Sequence, residues 1–211
     1  MEISITSDKD PFTIILLSDT HIIKRNTGID HMIFNRIHDS KPDLILHCGD
    51  VSTMDLLDDL KKIAPVYAVR GNRDFLIWNR LPPFVDLNIN GCLVHIEHRQ
   101  GDPLKYLRSK TYFFLQKIRR KPFDPHRVVS IRYNYDRYDL YCFGHSHYQQ
   151  VDRIGKTVFV NPGHIDMGTN FDPENPPSFA LIRISQDNIF VGVTVCLHGN
   201  FSEIDYNYNR K

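Results

Sequence analysis

Four short polar motifs in this sequence each stand at the end of an apolar run. They are Asp19-Thr20-His21, Gly49-Asp50, Gly71-Asn72-Arg73-Asp74 and Gly144-His145-Ser146-His147. Buried parallel strands present the residues that follow them at one edge of a sheet. Carboxylate, imidazole and amide groups are donors that divalent metal ions use in proteins. The motifs therefore predict a metal site at a sheet edge, with Asp50 at its centre.

The spacing within the motifs suits more than one ion. Asp19 and His21 lie two positions apart, so on an extended segment their side chains point to the same side. His145 and His147 have the same spacing, and in a site for two ions each of these histidines can bind a different ion. The full donor set suits two ions about 3.5–4 Å apart, as in two-metal phosphatases and nucleases. The candidate ligands are Asp19, His21, Asp50, Asn72, His98, His145 and His147.

The elements that must position these residues alternate in the first part of the chain. Apolar runs predict strands at 12–18, 44–48 and 66–69, and helical spacing predicts helices at about 28–40 and from 52 or 53 to 62. This alternation indicates an α/β layered fold. From Phe84 onward the pattern becomes β-rich, with a hairpin over 87–97 around Asn90-Gly91 and strands at 140–143, 157–160, 178–184 and 189–195. The polar tail from His198 is predicted to fray.

A basic segment lies between the predicted hairpin over 87–97 and the predicted strand at 140–143. Between Lys105 and Arg137 there are ten Lys or Arg residues and two acids. Interleaved aromatic and aliphatic residues give the segment an apolar side, so we predict a helical insertion at about 102–137. It can serve as a surface for a phosphate-rich or nucleic-acid substrate, as a solvated cap, or as a protein interface.

Length and composition bound the remaining possibilities. The 211 residues fit a single domain over 1–211, and 41% hydrophobic residues are typical of a globular protein. The formal net charge of +1 indicates neither a nucleic-acid nor a membrane partner. The four cysteines form no C-x-x-C pair, no apolar run reaches membrane-spanning length, and the amino-terminal residues lack signal-peptide features. We therefore expect a cytoplasmic protein, and the sequence leaves a homo-oligomer open.

Taken in order, the four motifs resemble those of the calcineurin-like metallophosphoesterase superfamily. The Asn161-Pro162-Gly163 motif and the short length are similar to its small phosphodiesterase branch, which includes the metallophosphoesterase-like subunit of the retromer complex. The resemblance covers about residues 12–195. It implies a two-sheet αββα sandwich and a two-metal site.

The resemblance also divides the ligands between the two ions. It assigns Asp19, His21, Asp50 and His147 to the first ion, and Asp50, Asn72, His98 and His145 to the second. The family places a histidine at the end of the strand after the metal-binding Asn, and here His95 and His98 compete for that place. We prefer His98 because His95 should project to the opposite face of the strand.

Two positions depart from the family pattern. Arg73 stands where the family often has a histidine, and an arginine cannot act as a general acid near pH 7, although it can hold a phosphate oxygen. His164 replaces the usual Ser after Asn161-Pro162-Gly163, and the sequence assigns it no role. Asp74 is expected to orient the site through hydrogen bonds.

The resemblance implies a dinuclear phosphoesterase that hydrolyses phosphodiester bonds with a metal-bridging hydroxide as nucleophile. In this interpretation Asn72 and Arg73 stabilise the developing charge and Asp74 supports them. Mn²⁺ is the expected metal, with Zn²⁺, Fe or Ni²⁺ as alternatives. The substrate is a phosphoester, and a nucleotide or nucleic acid fits this class. The rival hypotheses are a protein-interaction scaffold with the same fold and a nuclease that uses the basic insertion.

Overall fold

The structure, a computed structural model, describes residues 2–21, 29–51, 53–74, 77–98, 135–165 and 175–210. Within these ranges two six-stranded mixed sheets pack face to face, and two α-helices cover the outer side of one of them. The predicted α/β fold with a two-sheet sandwich is confirmed.

The strands follow one another along the described chain. They are β1 (Glu2–Ile5), β2 (Phe12–Leu17), β3 (Leu44–His47), β4 (Val66–Ala68), β5 (Phe84–Ile89), β6 (Cys92–Glu97), β7 (Leu140–Cys142), β8 (Gln149–Ile154), β9 (Thr157–Pro162), β10 (Ser178–Ile184), β11 (Asn188–Leu197) and β12 (Asn200–Asn209). The helices are α1 (His31–Asp39) and α2 (Met54–Leu60), with 3₁₀ turns at Trp78–Arg80 and Tyr135–Arg137.

One sheet, called sheet B, has the strand order β12-β11-β10-β2-β3-β4, in which β2, β3 and β4 run parallel. The continuous apolar run of β2 fits this position because both of its faces are buried. Ile14 and Leu16 face the core between the sheets, whereas Ile15 and Leu17 face the helices. The three parallel strands therefore end together at one edge of the molecule.

The helices cross over the outer face of sheet B. Helix α1 begins after Asp30, whose carboxylate accepts a hydrogen bond from the backbone N–H of Met32 at 2.8 Å, and it buries Ile33 and Ile37. Helix α2 buries its three leucines, Leu56, Leu57 and Leu60, against the same layer. Both helices are shorter than the ranges that the sequence predicts. Asp30 and Ser40 are the caps of α1, and Thr53 and Lys61 are the caps of α2.

The other sheet, called sheet A, has the strand order β1-β5-β6-β7-β9-β8, in which β6, β7 and β9 run parallel. The predicted hairpin is β5 and β6, with positive φ at Asn90 and Gly91 as a tight hairpin turn requires. Alternation puts Leu140 into the core between the sheets and Tyr141 on the outer face, where it packs with Phe159.

Three strands escape the sequence prediction, and one expectation is wrong. The tail does not fray, because β12 pairs antiparallel with β11 along its ten residues. Its alternating Tyr206 and Tyr208 pack partly buried against the core between the sheets. Strands β1 and β8 are recruited in a similar way, by pairing with β5 and β9.

The division of the chain stays a prediction. Most of the proposed basic insertion at 102–137 lies outside the described residues, and only its end, at the turn Tyr135–Arg137, falls within them. Neither described helix is long and apolar enough to cross a membrane.

Candidate metal centre

The predicted ligands follow the carboxyl ends of parallel strands in both sheets. Those after β2, β3 and β4 come from sheet B, and those after β6 and β7 come from sheet A. The two sets meet where the sheets end, and the backbone N–H of His145 from sheet A donates to Asp19 Oδ2 from sheet B at 2.9 Å. The set from sheet B is Asp19, His21, Asp50 and Asn72, and the set from sheet A is His98, His145 and His147.

Most of these residues sit in sharp turns with left-handed backbone. Positive φ is uncommon for residues other than glycine and is often found at functional sites. Two backbone hydrogen bonds hold the sheet B turns together, from Asp19 N to Gly49 O at 3.0 Å and from His21 N to Asp50 O at 3.1 Å. The candidate ligands with positive φ are Asp19 (51°), His21 (48°), Asp50 (55°), His145 (73°) and His147 (66°).

Asp19 divides its two carboxylate oxygens between different tasks. Oδ2 accepts hydrogen bonds from Ser18 Oγ at 2.5 Å and from the backbone N–H of His145 at 2.9 Å. Oδ1 is buried and has no hydrogen-bond partner. It lies 3.3 Å from His147 Nε2, 3.7 Å from His21 Nε2 and 4.0 Å from His98 Nε2. One oxygen therefore fixes the side chain, and the other is directed at imidazole nitrogens.

Asp50 forms the other half of the centre. Its Oδ1 accepts the backbone N–H of Arg73 at 2.7 Å and lies 3.5 Å from His98 Nε2. His98 Nδ1–H donates to the carbonyl of Cys48 at 2.6 Å, so Nε2 of the neutral ring carries the lone pair. That nitrogen is also 3.0 Å from Asn72 Oδ1. Three of the predicted donors of the second ion thus converge.

Two groups of acidic and histidine donors in the described chain are close enough to hold an ion. One contains Asp19, His21 and His147, the other contains Asp19, Asp50 and His98, and the donor atoms within each group lie within 4.8 Å of one another. Asp19 belongs to both groups, whereas the sequence predicts that Asp50 is the shared ligand. Asp50 belongs to one group only, and its Oδ2 lies 3.9 Å from His21 Nδ1 of the other group. Bridging by Asp50 therefore stays a prediction.

Among the acidic and histidine residues of the predicted ligand set, His145 alone lies outside both groups. Its ring stands edge-on to that of His98 with a centroid distance of 5.2 Å, and it is partly buried. His95, the rejected alternative to His98, does project away from the centre, as the alternation along β6 predicts. It pairs with Asp86 on the outer face of sheet A.

Asp74 and two glycines shape the turns around these donors. Asp74 is fully buried, and its Oδ2 accepts from the backbone N–H groups of Gly71 at 2.7 Å and Asp50 at 3.0 Å. A Cβ at Gly71 would lie 2.1 Å from Asp50 Oδ1, and one at Gly144 would lie 1.9 Å from Ser18 Oγ. These turns approach one another too closely for a side chain at either glycine.

Comparison with known families identifies the class of protein that shares this arrangement. Residues 12–187 match the model of the calcineurin-like phosphoesterase superfamily domain. The chain belongs to this calcineurin-like phosphoesterase superfamily. The match starts at β2 and ends after β10, so it includes every strand that precedes a candidate ligand.

Two relatives of this chain are described as probable metallophosphoesterases. A "Probable metallophosphoesterase" of Methanocaldococcus jannaschii is 39% identical over 148 residues, which cover 70% of this chain and 65% of that protein. A protein of the same description from Methanothermobacter thermautotrophicus is 27% identical over 191 residues, covering 88% of this chain and 96% of that protein. The matched stretch thus spans less than two thirds of the Methanocaldococcus protein.

Solved structures share the fold of this chain. Vps29 of Entamoeba histolytica has a TM-score of 0.72 at 19% identity, covering 93% of this chain and 99% of that one. The first of these structures is of a single mutant; the wild-type Vps29 of the same organism, complexed with Zn²⁺, has a TM-score of 0.68 at 19% identity, covering 94% and 99%. A predicted phosphoesterase of Streptococcus pneumoniae has a TM-score of 0.57 at 18% identity, covering 94% and 99%. At these identities the similarity shows the fold alone.

The electrostatics of the candidate metal centre favour charged groups. Burial alone would raise the pKa of Asp19, but His98 and His147 beside it hold that pKa well below its usual range. Burial would likewise lower the pKa of His98, yet Asp19 and Asp50 raise it to about 9. The neighbouring charges therefore favour the ionised form of the carboxylates at this centre.

The residues present fit divalent metal ions. Two buried atoms that face the centre, Asp19 Oδ1 and His21 Nδ1, have no hydrogen-bond partner. Buried polar atoms are rarely left in this state without a reason such as an ion. Carboxylate oxygen and imidazole nitrogen are donors that Mn²⁺, Zn²⁺ and Fe accept.

Sequence reasoning missed several residues that support the centre. Asn161 donates through Nδ2 to Gly144 O at 3.1 Å and to Ser146 Oγ at 2.9 Å, which fixes the turn that carries His145 and His147. Asn175 Nδ2 donates to His147 O at 3.1 Å. The Asn161-Pro162-Gly163 motif was the available signal for Asn161, whereas Asn175 comes from a loop with no motif.

Arg73 and His164 now have defined places. The Arg73 side chain is exposed at the mouth of the centre. Its positive charge acts on His21, whose pKa is lowered by burial and lowered further by the nearby Arg73. The buried His164 ring packs on the His147 ring with a centroid distance of 5.4 Å, and its Nε2–H donates to Asn175 O at 3.0 Å. His164 therefore supports His147.

Proposed function

We propose that this protein is a phosphodiesterase that hydrolyses phosphodiester bonds with two divalent ions. The observation that carries the proposal is Asp19 Oδ1, a buried carboxylate oxygen without a hydrogen-bond partner that faces three imidazole nitrogens 3.3–4.0 Å away. Membership of the calcineurin-like phosphoesterase superfamily supports the reaction class. The ligands would be Asp19, His21, Asp50, Asn72, His98, His145 and His147.

A pair of bound ions supplies Lewis acidity toward phosphoryl oxygens and lowers the pKa of water. Everything else must come from the chain. Ser18 orients the Asp19 carboxylate, Asp74 holds the backbone of the turn that carries Asp50, and His98 is oriented by the carbonyl of Cys48. Such outer contacts hold donors in the geometry that the ions require.

Arg73 has the chemistry of a phosphate clamp. Its guanidinium stays protonated at any ordinary pH and presents a planar fork of N–H donors that matches phosphate oxygens. It cannot give a proton to a leaving alcohol, so esters with acidic leaving groups should react best. Asn72, exposed beside it, offers a second polar contact to the phosphate.

The experiment that tests the proposal is an assay with bis(p-nitrophenyl) phosphate and added Mn²⁺. We expect turnover by the wild type and none above background for Asp50→Ala. Circular dichroism of both proteins shows whether the variant is folded. No turnover by the wild type with Mn²⁺, Zn²⁺, Fe²⁺ or Ni²⁺, or equal turnover by the two proteins, would contradict the proposal.

The role of Arg73 is tested separately with Arg73→Ala and Arg73→Lys. A clamp that acts on bound phosphate predicts a loss in kcat/KM of about 10-fold or more for both, since a lysine lacks the planar fork. Unchanged kcat/KM in Arg73→Ala would remove Arg73 from the site. Mn²⁺ content, measured on the same samples, should not change.

Two other hypotheses from the sequence remain open to the same assays. The structures of Vps29, one of them complexed with a cyclic peptide, share this fold, which favours a protein-interaction scaffold as the second candidate. A scaffold predicts no turnover and no effect of Asp50→Ala. A nuclease predicts cleavage of single-stranded nucleic acid that is lost when Arg119, Arg120 and Lys121, outside the described residues, are neutralised together.

A further inference from the structure

His47 is a buried histidine that the proposed ligand set does not use. It is the last residue of β3, three positions before Asp50, and its side chain is fully buried. Thr20, between the candidate ligands Asp19 and His21, is also buried. The two side chains lie beneath the two turns that carry the sheet B ligands.

Hydrogen bonds connect the two turns through these side chains. The backbone N–H of Gly49 points at His47 Nδ1 at 3.2 Å, so Nδ1 must accept. His47 Nε2 lies 3.3 Å from Thr20 Oγ1, and that hydroxyl donates to the carbonyl of Asp50 at 3.2 Å. If the neutral His47 ring carries its proton on Nε2, all three contacts have a donor and an acceptor. Gly49 N–H donates to Nδ1, Nε2–H donates to Thr20 Oγ1, and the Thr20 hydroxyl donates to the Asp50 carbonyl.

The surroundings of His47 favour that neutral form. Burial lowers its pKa to about 4, and the charged groups nearby do not overcome this effect. Since Nδ1 accepts from Gly49, the proton of the neutral ring must lie on Nε2. The tautomer follows from the hydrogen bonds, independently of the pKa.

Both of the turns linked in this way contain residues with a left-handed backbone conformation. Asp19, His21 and Asp50 have φ of 51°, 48° and 55°, a region that costs free energy for residues with a side chain. Such turns persist only when surrounding contacts define them. The chain from Gly49 through His47 and Thr20 to Asp50 supplies contacts of this kind.

We propose that His47, with Thr20 as its relay, is a positioning residue that locks the turn 19–21 onto the turn 49–51 and thereby sets the affinity of the centre for metal ions. The inference rests on the proposed metal centre. It assigns to both residues a role in metal affinity that is distinct from a general contribution to folding.

The test compares Mn²⁺ binding by isothermal titration calorimetry in the wild type, Thr20→Val, Thr20→Ser and His47→Asn. Valine keeps the shape of Thr20 without the hydroxyl, and asparagine keeps an acceptor for Gly49 but does not reach Thr20. We expect Mn²⁺ affinity to fall about 10-fold to 100-fold in Thr20→Val and His47→Asn, the usual range for residues that orient ligands. Thr20→Ser should retain the wild-type affinity.

Thr157→Val is the matched control. Thr157 is fully buried in β9, at the end of the strand opposite to the centre, and its hydroxyl donates to Tyr138 O at 2.7 Å and Tyr135 O at 3.1 Å. This variant should lose stability without losing Mn²⁺ affinity. The double variant His47→Asn with Thr20→Val should be no weaker in Mn²⁺ binding than either single variant, because both break one chain.

The outcomes separate this inference from the proposed function. Normal Mn²⁺ binding by the wild type together with unchanged affinity in Thr20→Val and His47→Asn would overturn the positioning role alone. Absence of Mn²⁺ binding by the wild type would overturn the metal centre and this inference with it. A fall in Thr20→Val that Thr20→Ser restores supports the role.

Discussion

Strand β6 supplies two buried histidines with opposite surroundings. His95 belongs to a set of polar residues, all buried except Arg137, on the outer face of sheet A, here called the outer cluster, whereas His98 belongs to the candidate metal centre. In the outer cluster Asp86 accepts from His95 Nδ1 at 2.6 Å, from the Tyr138 hydroxyl at 2.9 Å and from Arg137 at 2.9 Å. The outer cluster consists of Asp86, His95, Glu97, Arg137, Tyr138 and Tyr141.

The difference between the two clusters lies in which atoms have protein partners. Both contain buried carboxylate and imidazole at short distance, so that combination alone does not indicate a metal site. The carboxylates of the outer cluster receive hydroxyl and guanidinium donors, as Glu97 does from the Tyr141 hydroxyl. At the centre, Asp19 Oδ1 and His21 Nδ1 have none. These two atoms at the centre are the ones available as donors to an ion.

The largest expected contrast comes from the same substitution in each cluster. Asp19→Asn should lower Mn²⁺ affinity and diester turnover by more than about 100-fold, since even residues that only orient ligands contribute about 10-fold to 100-fold. Asp86→Asn should leave both unchanged while lowering the free energy of unfolding by about 1–3 kcal/mol. Calorimetric titration, turnover and urea denaturation measure the three quantities. Loss of metal in Asp86→Asn would show that the clusters are not independent.

Metal removal should affect stability through one cluster only. An ion at 100 times its dissociation constant stabilises the folded protein by about 2.7 kcal/mol, so treatment with EDTA should lower the Tm of the wild type. The same decrease is expected for Asp86→Asn, and none for Asp50→Ala. Differential scanning calorimetry gives the values, and an EDTA effect on Asp50→Ala as large as that on the wild type would contradict the assignment.

A smaller effect is expected from adding a single carbon at Gly144. A Cβ there would meet Ser18 Oγ at 1.9 Å and Asp19 Oδ2 at 2.8 Å, so Gly144→Ala must displace the carboxylate that it touches. We expect a loss of about 1–3 kcal/mol in unfolding free energy together with weaker Mn²⁺ binding. Gly155→Ala is the control, because no atom lies within 4 Å of its Cβ position; its positive φ should cost stability without any change in Mn²⁺ affinity.

The smallest effect should follow from trimming the outer cluster. Tyr138→Phe removes one of the three donors to Asp86 and should lower the free energy of unfolding by about 1–2 kcal/mol. The His95 and Arg137 contacts remain. Wild-type metal content, checked by elemental analysis, is the expected companion result, and a change in it would break the separation between the clusters.

The sequence predicted the strands that deliver ligands because their signal is strong and local. The strands Leu44–His47 and Phe12–Leu17 are mostly apolar and lie buried on both faces, and such runs have few alternatives to a buried strand. Alternation along β6 also separated His95 from His98. These arguments need only the period of a strand, so they hold before any tertiary contact is known.

What the sequence could not predict depends on pairing between distant segments. Strand β12 is polar by composition and becomes ordered because β11 supplies its partners. The two roles of the Asp19 oxygens depend in the same way on His145, which lies more than a hundred positions away. Asn175 and the relay through Thr20 are likewise visible only once the turns are in place.

The origin of the ligands in two sheets has a topological consequence. His21 Nε2 and His147 Nε2 lie 3.1 Å apart although 126 positions separate them in the chain. An ion held by both would be a cross-link that closes this loop, as a disulfide does elsewhere, and the four cysteines here are free and buried. In the chain-entropy picture, closing a loop of this length lowers the entropy of the unfolded chain by an amount worth about 4–5 kcal/mol. The bound ions would then act as cross-links between the two sheets that are lost when the ions are removed.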